Sequence, residues 1–292
     1  MELNFKKIEL SDKKIIDFYF QSFSPKISEY TFTNLFMWDE VRNIKYSKLL
    51  DGIVFSGQKD NEKFFYPPIG ESNCEKAFDL LVNYGIKNNF KTISLIPEYQ
   101  VKFLKKIGVK PYPDRDNFDY IYKTEKLANL GGWKLDGKRW FIRKFKQNYN
   151  YTYRKFYIED KSKCITFFER WLSDKENSDL AMEELRVFKK FLYNYENLSV
   201  TGGIIEVEGK IIAFEFGEPL DKETFVIHFE KADTNYIGSY QMINNLFVLN
   251  HIFPIYRFVN REQDMGIEGL RKAKLSYVPF KLLKKYEVSL NI

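Results

Sequence analysis

One order of secondary-structure patterns occurs twice along the chain, and this repetition limits the possible folds more than any other feature. Each half begins with helical patterns, continues with three strands of alternating apolar and polar residues, and then reads helix, strand, helix, strand. Residue pairs typical of hairpin turns separate the strands: Asp51-Gly52, Asp60-Asn61 and Glu208-Gly209. The sequence therefore predicts two copies of one helix-and-sheet architecture.

The predicted elements have the following bounds. Those of the first half are helices at 11–22, 73–88 and 98–107, a short helix or a tucked loop at 30–40, and strands at 44–46, 52–57, 63–66, 92–96 and 114–122. Those of the second half are helices at 165–172, 180–195, 236–250 and 266–276, a hairpin at 202–217 and strands at 224–230, 256–259 and 284–290. We therefore predict an α/β fold with mixed sheets: an N-terminal domain over 1–127, a linker over 128–160 and a C-terminal domain over 161–292.

A polar cluster over 260–264 directly follows the predicted strand that ends at Val259. In open α/β sheets, ligands bind beyond the carboxyl ends of strands, where a following helix offers free N–H groups. This cluster is therefore a candidate ligand site. The alternative is that Asp264 only caps the helix that begins near Gly266, while Arg261 and Glu262 form surface ion pairs.

The segment 130–156 combines cations with aromatic residues. Eight lysines and arginines accompany one acid, Asp136. Cations neutralise phosphates, and aromatic faces stack on bases or lie at a lipid head-group boundary. We predict contact with a polyanion through five of them: Lys138, Arg139, Arg143, Lys144 and Lys146. The alternative is a connecting helix whose aromatic side chains pack between domains while its cations stay solvated.

Several classes of protein are excluded or disfavoured. No apolar run approaches the roughly 20 residues that span a bilayer, and the first residues lack the apolar core of a signal peptide, so a cytoplasmic protein is expected. The two cysteines, Cys74 and Cys164, and the two histidines are not spaced as zinc ligands, so no metal is expected. A hydrolase is disfavoured because the chain shows no GxSxG motif.

The order of elements resembles the Gcn5-related N-acetyltransferase (GNAT) fold, and a tandem pair of such domains resembles the Fem-type transferases. Several stretches look like the C-terminal domain of bacterial phosphatidylglycerol lysyltransferases, namely Gly202-Gly203-Ile204, 209–214, 224–228, Glu230-Lys231-Ala232 and 260–274. In the N-terminal half, YTFTNLFMW and YPPIG resemble free-standing members of the same group. The resemblance covers nearly the whole chain.

The resemblance implies an acyl-transfer reaction in which an amine or a hydroxyl attacks an activated carbonyl. In the lipid-modifying relatives the donor is aminoacyl-tRNA and the acceptor is a lipid head group. An anionic lipid surface is therefore a candidate partner, and a soluble acceptor is the alternative. Acyl-CoA is a weaker candidate donor, because the segment 235–240, which corresponds to the pyrophosphate-binding turn of acetyl-CoA-dependent relatives, has one glycine.

Within this reading, the second half is expected to be the active one. Positioning, a base and oxyanion donors suffice for acyl transfer. The predicted catalytic residues are His228, Glu230 and Asp264, with His228 or Glu230 as the base. The predicted substrate-binding residues are Asn260, Arg261, Glu262, Lys231, Lys274 and Tyr236. The alternative function is an inert binding protein for nucleic acid or an anionic membrane surface, in which His228 and residues 260–264 are consumed in mutual hydrogen bonds.

Overall fold

A computed structural model describes residues 2–70, 74–173 and 179–290 of the chain. The chain divides into two compact units, and each unit is discontinuous in sequence. The first unit comprises Met1–Asp119, Gln263–Gly266 and Leu282–Ile292. The second comprises Tyr120–Glu262 and Ile267–Lys281. Two short C-terminal segments thus return to the first unit.

The strands of the described chain, in sequence order, are β1 (Lys6–Lys7), β2 (Lys45–Leu49), β3 (Gly52–Lys59), β4 (Glu62–Phe65), β5 (Phe90–Pro97), β6 (Tyr112–Pro113), β7 (Asp119–Lys123), β8 (Tyr151–Lys155), β9 (Thr201–Val207), β10 (Lys210–Pro219), β11 (Thr224–Ala232), β12 (Phe258–Asn260), β13 (Lys281–Leu283) and β14 (Lys285–Ser289).

The α-helices of the described chain are α1 (Lys13–Phe23), α2 (Phe32–Arg42), α3 (Cys74–Lys87), α4 (Val101–Lys106), α5 (Thr124–Asn129), α6 (Asp136–Asn148), α7 (Lys161–Ser173), α8 (Asp179–Tyr193), α9 (Ser239–Phe247) and α10 (Glu268–Leu275). A π-helical turn, Val248–Ile252, continues α9. The long helices predicted from sequence are all present, and the segment around residue 35 is the helix α2, with Thr31 as its N-cap.

The two sheets exchange strands between the halves of the sequence. The first sheet has the order β1-β2-β3-β4-β5-β14-β6, and the second has the order β13-β7-β12-β11-β10-β9-β8. Strand β7 lies in the second sheet and β14 lies in the first. The predicted assignment of strand 114–122 to the first half and of strand 284–290 to the second half is therefore wrong. Alternation of apolar and polar residues identifies a strand, but it carries no information about which sheet the strand joins.

Hairpin turns explain why three consecutive strands pair in each half. Asp60 and Asn61 join β3 to β4 with φ values of 49° and 65°, and Glu208 and Gly209 join β9 to β10 with φ values of 52° and 74°. Two left-handed residues in a two-residue loop match the twist of the flanking strands. The turn between β2 and β3 lies one residue earlier than predicted, since Leu49 pairs with Gly52.

Phenylalanine side chains fill much of the core of the second unit. The Phe188 and Phe214 rings stack with centroids 4.8 Å apart, and the Phe188 and Phe229 rings meet edge to face at 5.0 Å. Such pairs add to the free energy of burying apolar area. Helix α8 is thereby held against β10 and β11, the strands that carry the polar residues described next.

Candidate functional site

Strands β11 and β12 of the second unit diverge after a short parallel contact. They pair only from Thr224 opposite Phe258 to Val226 opposite Asn260, whereas β11 continues to Ala232. The residues that follow β12 therefore lie beside β11 without joining its ladder. Two of them, Arg261 and Glu262, bridge the gap through their side chains. The predicted polar cluster is thus located where the two strands separate.

Arg261 and Glu230 form the central ion pair of this gap. Arg261 Nη2 donates to Glu230 Oε2 at 2.5 Å, and the two side chains are 10% and 14% exposed. Arg261 Nη1 is buried and has no hydrogen-bond acceptor among the described residues. A buried guanidinium donor without an acceptor is costly, because its hydration is lost. Nη1 of Arg261 is therefore a buried donor without an acceptor among the described residues, and we call this atom the reserve donor.

Aromatic rings and a second cation surround the guanidinium. The Arg261 guanidinium carbon lies 4.8 Å from the Tyr277 ring centroid and 5.7 Å from that of Tyr122. Lys138 Nζ lies 4.3 Å from the Tyr277 ring centroid. Burial lowers the pKa of Lys138, and the charge of Arg261 lowers it further. Lys138, predicted as a polyanion contact, thus turns toward this cluster.

Lys274 supports the same site from α10. It is the one buried residue of that helix, and its ammonium group donates to the backbone oxygen of Arg261. Its own carbonyl accepts from the Tyr122 hydroxyl at 2.7 Å. Lys274 therefore positions the backbone of Arg261, and its predicted substrate-binding role stays a prediction.

A second carboxyl group, Glu215, lies beside Glu230. The two residues are register partners on β10 and β11, so both side chains point to the same face of the sheet. Glu215 is fully buried, and its Oε1 accepts from Asn244 of α9 at 3.3 Å. Burial raises the pKa of Glu215 well above its ordinary value, and the charge of Glu230 adds to the shift. Sequence analysis missed Glu215, although one acid in the apolar run of β10 was a detectable signal.

His228 lies between two carboxylates. It is the extra residue of a β-bulge on β11, because Ile227 pairs with Gly217 and Phe229 pairs with Phe216. Its Nδ1 is 2.8 Å from Glu262 Oε1, and its Nε2 is 2.9 Å from Glu218 Oε1. Burial alone would lower the pKa of His228, but these two hydrogen bonds outweigh it and raise the pKa to about 9. At neutral pH the ring already carries the proton that a general base would accept.

The pKa values of the two histidines should lie on opposite sides of the ordinary value of 6.5. We expect an imidazole resonance that titrates near pH 9 for His228 and one below 6.5 for His251, whose pKa is lowered by burial and by Lys155. Because the folded pKa of His228 exceeds the ordinary 6.5, its stabilising contribution is complete below that pH and is lost as the pH rises through 9. The free energy of unfolding should fall by about 3 kcal/mol over this window.

Nitrogen-15 NMR of the imidazoles and denaturant unfolding at several pH values would measure both effects. The variant His228→Gln is the control: it should remove the upper titration and flatten the pH dependence. A His228 resonance that titrates near pH 6.5 would contradict the observed hydrogen bonds of His228 with Glu218 and Glu262.

The remaining predicted residues of β11 and the following turn have other partners. Lys231 Nζ lies 2.7 Å and 2.8 Å from the two carboxylate oxygens of Glu184 and over the Phe168 and Trp171 rings at 5.0 Å and 4.7 Å. The Tyr236 ring packs edge to face on Tyr149 at 5.1 Å. The structure therefore does not bring these two residues into contact with Arg261.

Asn260 and Asp264 shape backbone turns. Asn260 Oδ1 accepts from the Glu262 amide at 2.8 Å, which sets the turn that follows β12. Asp264 belongs to the first unit, where it accepts from Arg115 Nη1 and from the Gly266 amide, both at 3.0 Å. Asp264 does not cap α10 as the alternative proposed, since the N-cap of that helix is Ile267 and, among the described residues, it has no side-chain cap. It stabilises the turn before the helix, and its predicted catalytic role stays a prediction.

The predicted linker contains the helix α6. The basic residues of this helix differ in their contacts. Arg139 donates to the Leu130 and Gly132 carbonyls and to Asp136, so it ties together the turn before the helix. Arg143 and Lys146 are exposed, and Lys144 Nζ lies 5.9 Å from the centroid of the Trp140 ring. Trp133 and Trp140 are also exposed. The basic aromatic surface, defined by Trp133, Trp140, Arg143, Lys144 and Lys146, remains available for a partner.

The turn before α9, at the place of a pyrophosphate-binding turn, uses its amides internally. The Asn235 amide donates to Asp233 Oδ1, the Tyr236 amide to the Asp233 carbonyl, and the Ser239 amide to the Tyr236 carbonyl. The Ile237 amide donates to the Tyr149 hydroxyl at 3.1 Å. A phosphate at this turn would have to displace these acceptors.

Comparison with known proteins identifies the family. A family model described as "Phosphatidylglycerol lysyltransferase, C-terminal" matches residues 20–289. The chain belongs to this family. A crystal structure of a conserved protein of unknown function from Bacteroides thetaiotaomicron is 33% identical, covers 99% of this chain and 100% of that chain, and has a TM-score of 0.93. The structure of L-PGS from Bacillus licheniformis is 13% identical and covers 96% of this chain and 93% of that chain, with a TM-score of 0.68.

The fold of this phosphatidylglycerol lysyltransferase-type chain is a tandem GNAT fold. A tandem GNAT protein from the clavulanic acid biosynthesis pathway is 8% identical, covers 100% of this chain and 99% of that chain, and has a TM-score of 0.54. FemX is 8% identical, covers 98% of this chain and 97% of that chain, and has a TM-score of 0.64. The predicted family resemblance and fold are confirmed. Family and fold are those of acyl and aminoacyl transferases.

Two further observations concern the described residues alone. None of their helices combines the length and the apolar character that crossing a membrane requires. No group of three or more histidine, cysteine, aspartate or glutamate side chains in residues 2–70, 74–173 and 179–290 is placed to hold a metal ion.

Proposed function

We propose that this chain is an aminoacyltransferase that transfers the aminoacyl group of aminoacyl-tRNA to an amine or hydroxyl acceptor, either a lipid head group or a soluble molecule. The observation that carries the proposal is the reserve donor of Arg261, Nη1, buried beside Glu230 and the Tyr277 ring. It lies where β11 and β12 separate, a place where a sheet of this kind can admit an extended acyl ester.

In the proposed reaction, the acceptor's nitrogen or oxygen attacks the ester carbonyl carbon, and the bond from that carbon to the ribose oxygen of tRNA breaks. Negative charge develops on the carbonyl oxygen during the attack, and a positioned donor stabilises it. Arg261 Nη1 would supply that donor, since Glu230 holds the other end of the guanidinium at 2.5 Å. Positioning of the two substrates supplies much of the remaining rate enhancement.

Of the predicted bases, Glu230 is the better candidate. His228 is held as a cation between Glu218 and Glu262, so we assign it a positioning role: it fixes Glu262 and thereby the turn that carries Arg261. The Glu230 carboxylate is only partly exposed and contacts Arg261 directly. It can accept the nucleophile's proton, which later passes to the departing ribose oxygen.

Two features support tRNA over acyl-CoA as the donor. The turn before α9 already uses the amides of Asn235, Tyr236, Ile237 and Ser239, so few remain to bind a pyrophosphate. The basic aromatic surface, on α6 and the turn before it, combines cations with exposed indole rings, a composition suited to the phosphates and unstacked bases of RNA. Acyl-CoA remains the alternative donor.

Radiolabel transfer tests the proposal. Labelled aminoacyl-tRNAs and, in parallel, labelled acetyl-CoA would be incubated with the protein and an extract that contains lipids, peptides and small amines. We expect label to move from tRNA, and the labelled fraction identifies the acceptor. Transfer from acetyl-CoA alone would replace the donor and contradict the tRNA proposal.

The basic aromatic surface can be tested separately by binding. The triple variant Arg143→Gln, Lys144→Gln and Lys146→Gln should weaken tRNA binding and reduce the slope of log Kd against log salt by about 2 to 3, because each lost phosphate contact removes roughly 0.7 to 0.9. The matched control removes three exposed lysines of the first unit, Lys87, Lys105 and Lys110. Equal effects of the two triple variants would refute a specific role of the surface.

One observation favours the inert binding protein as a second candidate. Glu262 contacts His228, Arg261 contacts Glu230, and Asn260 contacts the Glu262 amide, so the predicted polar residues of the second unit are engaged with one another. Absence of transfer from either donor, together with tRNA binding that still depends on the basic aromatic surface, would establish this second function.

A further inference from the structure

Four buried polar atoms of the second unit have no hydrogen-bond partner in the described part of the chain. They are Glu215 Oε2, Asn244 Oδ1, the Tyr153 hydroxyl and His251 Nε2. Glu215 is 0% and Asn244 1% exposed. Buried polar atoms are almost always hydrogen-bonded in folded proteins, because an unpaired one loses its hydration without compensation. Four such atoms in one region therefore point to a ligand.

The sheet register brings two of these atoms together. Glu215 on β10 pairs with Gly203 on β9, so their side-chain positions are neighbours on one face. Tyr153 of β8 reaches over Gly203, and a Cβ at this glycine would lie 2.3 Å from the Tyr153 hydroxyl oxygen. Only glycine leaves room for the hydroxyl at this place. The phenol of Tyr153 is thereby directed toward the face that carries Glu215.

Helix α9 and its continuation contribute the other two atoms. Asn244 Nδ2 donates to Glu215 Oε1 at 3.3 Å, while the Asn244 oxygen stays unpaired. His251 lies in the π-helical turn after α9, and its ring centroid is 6.2 Å from that of Tyr153. Single π-helical turns inside helices frequently occur at functional sites. A ring contact thus links His251 to Tyr153, a hydrogen bond links Asn244 to Glu215, and Gly203 brings the Tyr153 hydroxyl to the sheet position next to Glu215.

The pKa of each titratable lining group is shifted toward the uncharged form. Burial raises the pKa of Glu215 well above its ordinary value, helped by Glu230, and burial also raises the pKa of Tyr153. Burial lowers the pKa of His251, and Lys155 lowers it further. Lys155 is the charge that acts on His251, and Glu230 and Arg261, which act on Glu215, are paired with each other. Such a lining favours an uncharged group over an ammonium ion or a phosphate.

We propose that Tyr153, Glu215, Asn244 and His251 form a binding site for an uncharged group that both donates and accepts hydrogen bonds, namely a hydroxyl or a carboxamide. The Asn244 oxygen and His251 Nε2 can accept from such a group, and the Tyr153 hydroxyl and the Glu215 carboxyl can donate to it. Glu215 of this neutral polar site is the strand neighbour of Glu230, but the inference uses neither the Arg261 donor nor an acyl group and so does not depend on the transferase proposal.

The chain has two histidines, so imidazole nitrogen-15 NMR can report on the site directly. Glycerol and acetamide would be the hydroxyl and carboxamide probes, and methylammonium chloride and sodium phosphate would be the charged probes at equal ionic strength. We expect a saturable shift of the His251 Nε2 resonance with glycerol or acetamide, little change with the charged probes, and no change at His228. A shift with glycerol alone would identify the bound group as a hydroxyl, and a shift with acetamide alone would identify it as a carboxamide.

Tyr153→Phe removes one donor and should weaken binding of the effective neutral probe at least tenfold, whereas Tyr157→Phe, at an exposed tyrosine, should leave it unchanged. Absence of a saturable shift with both neutral probes would overturn the proposal. A stronger response to methylammonium or to phosphate would overturn it as well. Neither outcome bears on aminoacyl transfer, since no donor substrate is present.

Discussion

Replacing Lys285 with methionine is expected to lower the free energy of unfolding by about 3 to 5 kcal/mol. Lys285 of β14 is 0% exposed, and its ammonium group lies 2.7 Å from both Glu29 oxygens and 2.6 Å from Asp119 Oδ1. Burial alone would lower the pKa of Lys285, but the charges of Asp119 and Glu29 raise it above its ordinary value. Without the cation, the carboxyl groups of Glu29 and Asp119 would stay buried in the first unit without a counter-charge, although Ser28 still donates to Asp119.

Denaturant unfolding of Lys285→Met measures this loss. Lys281→Met is the matched control, because this substitution removes the same charge from an exposed side chain four residues earlier. Adding Glu29→Gln and Asp119→Asn to Lys285→Met should recover much of the stability, since no net charge then stays buried. Equal stabilities of the Lys285 and Lys281 variants would contradict the proposed role of the buried ion pairs in holding β14.

The substitution Arg261→Lys is expected to reduce the transfer rate by about 100- to 1,000-fold. Lysine keeps the positive charge beside Glu230, but it lacks the second planar nitrogen that holds the reserve donor. The free energy of unfolding should change far less than in Lys285→Met, because the Glu230 carboxylate keeps a cationic partner. The rate of label transfer from aminoacyl-tRNA, measured with the thermal midpoint, tests both statements.

Arg115→Lys serves as the control for Arg261→Lys. Arg115 also binds a buried carboxylate, Asp264, at 3.0 Å, but it lies in the first unit and is 35% exposed. We expect this control to retain its transfer rate. A loss of activity that accompanies an equal loss of stability in Arg261→Lys would mark Arg261 as part of the scaffold and would refute its assignment as the oxyanion donor.

The candidate site shows how far residue types predict chemistry. The segment 260–264 was singled out because polar residues rarely follow a buried strand without a reason, and Arg261 indeed lies in the gap between β11 and β12. The protonation state of His228 was not predictable from sequence. It depends on Glu218 and Glu262, which are 10 and 34 residues away in the chain and are brought to the ring only by the sheet.

The basic segment gives a second example. Its charge predicted a polyanion contact for Lys138 and Arg139 together with Arg143, Lys144 and Lys146. In the structure, Lys138 stacks on Tyr277 and Arg139 binds the Leu130 and Gly132 carbonyls. The helical repeat tells which residues share a face, but the orientation of that face depends on what packs beside the helix.

The sequence by itself determined the kind and order of elements, the hairpin turns at Asp60-Asn61 and Glu208-Gly209, the family, and the tandem GNAT fold. The elements and turns depend on local φ preferences and on the periods of apolar residues, which each segment carries within itself. The family and its fold follow instead from the resemblance of particular stretches, such as 202–204 and 260–274, to that family. The tertiary structure alone decided that β7 joins the second sheet and β14 joins the first. It also decided that Glu215 lies beside Glu230 and that Glu230 pairs with Arg261. The physical reason is that strand partners and buried ion pairs depend on contacts between segments far apart in the chain, and no local pattern records them.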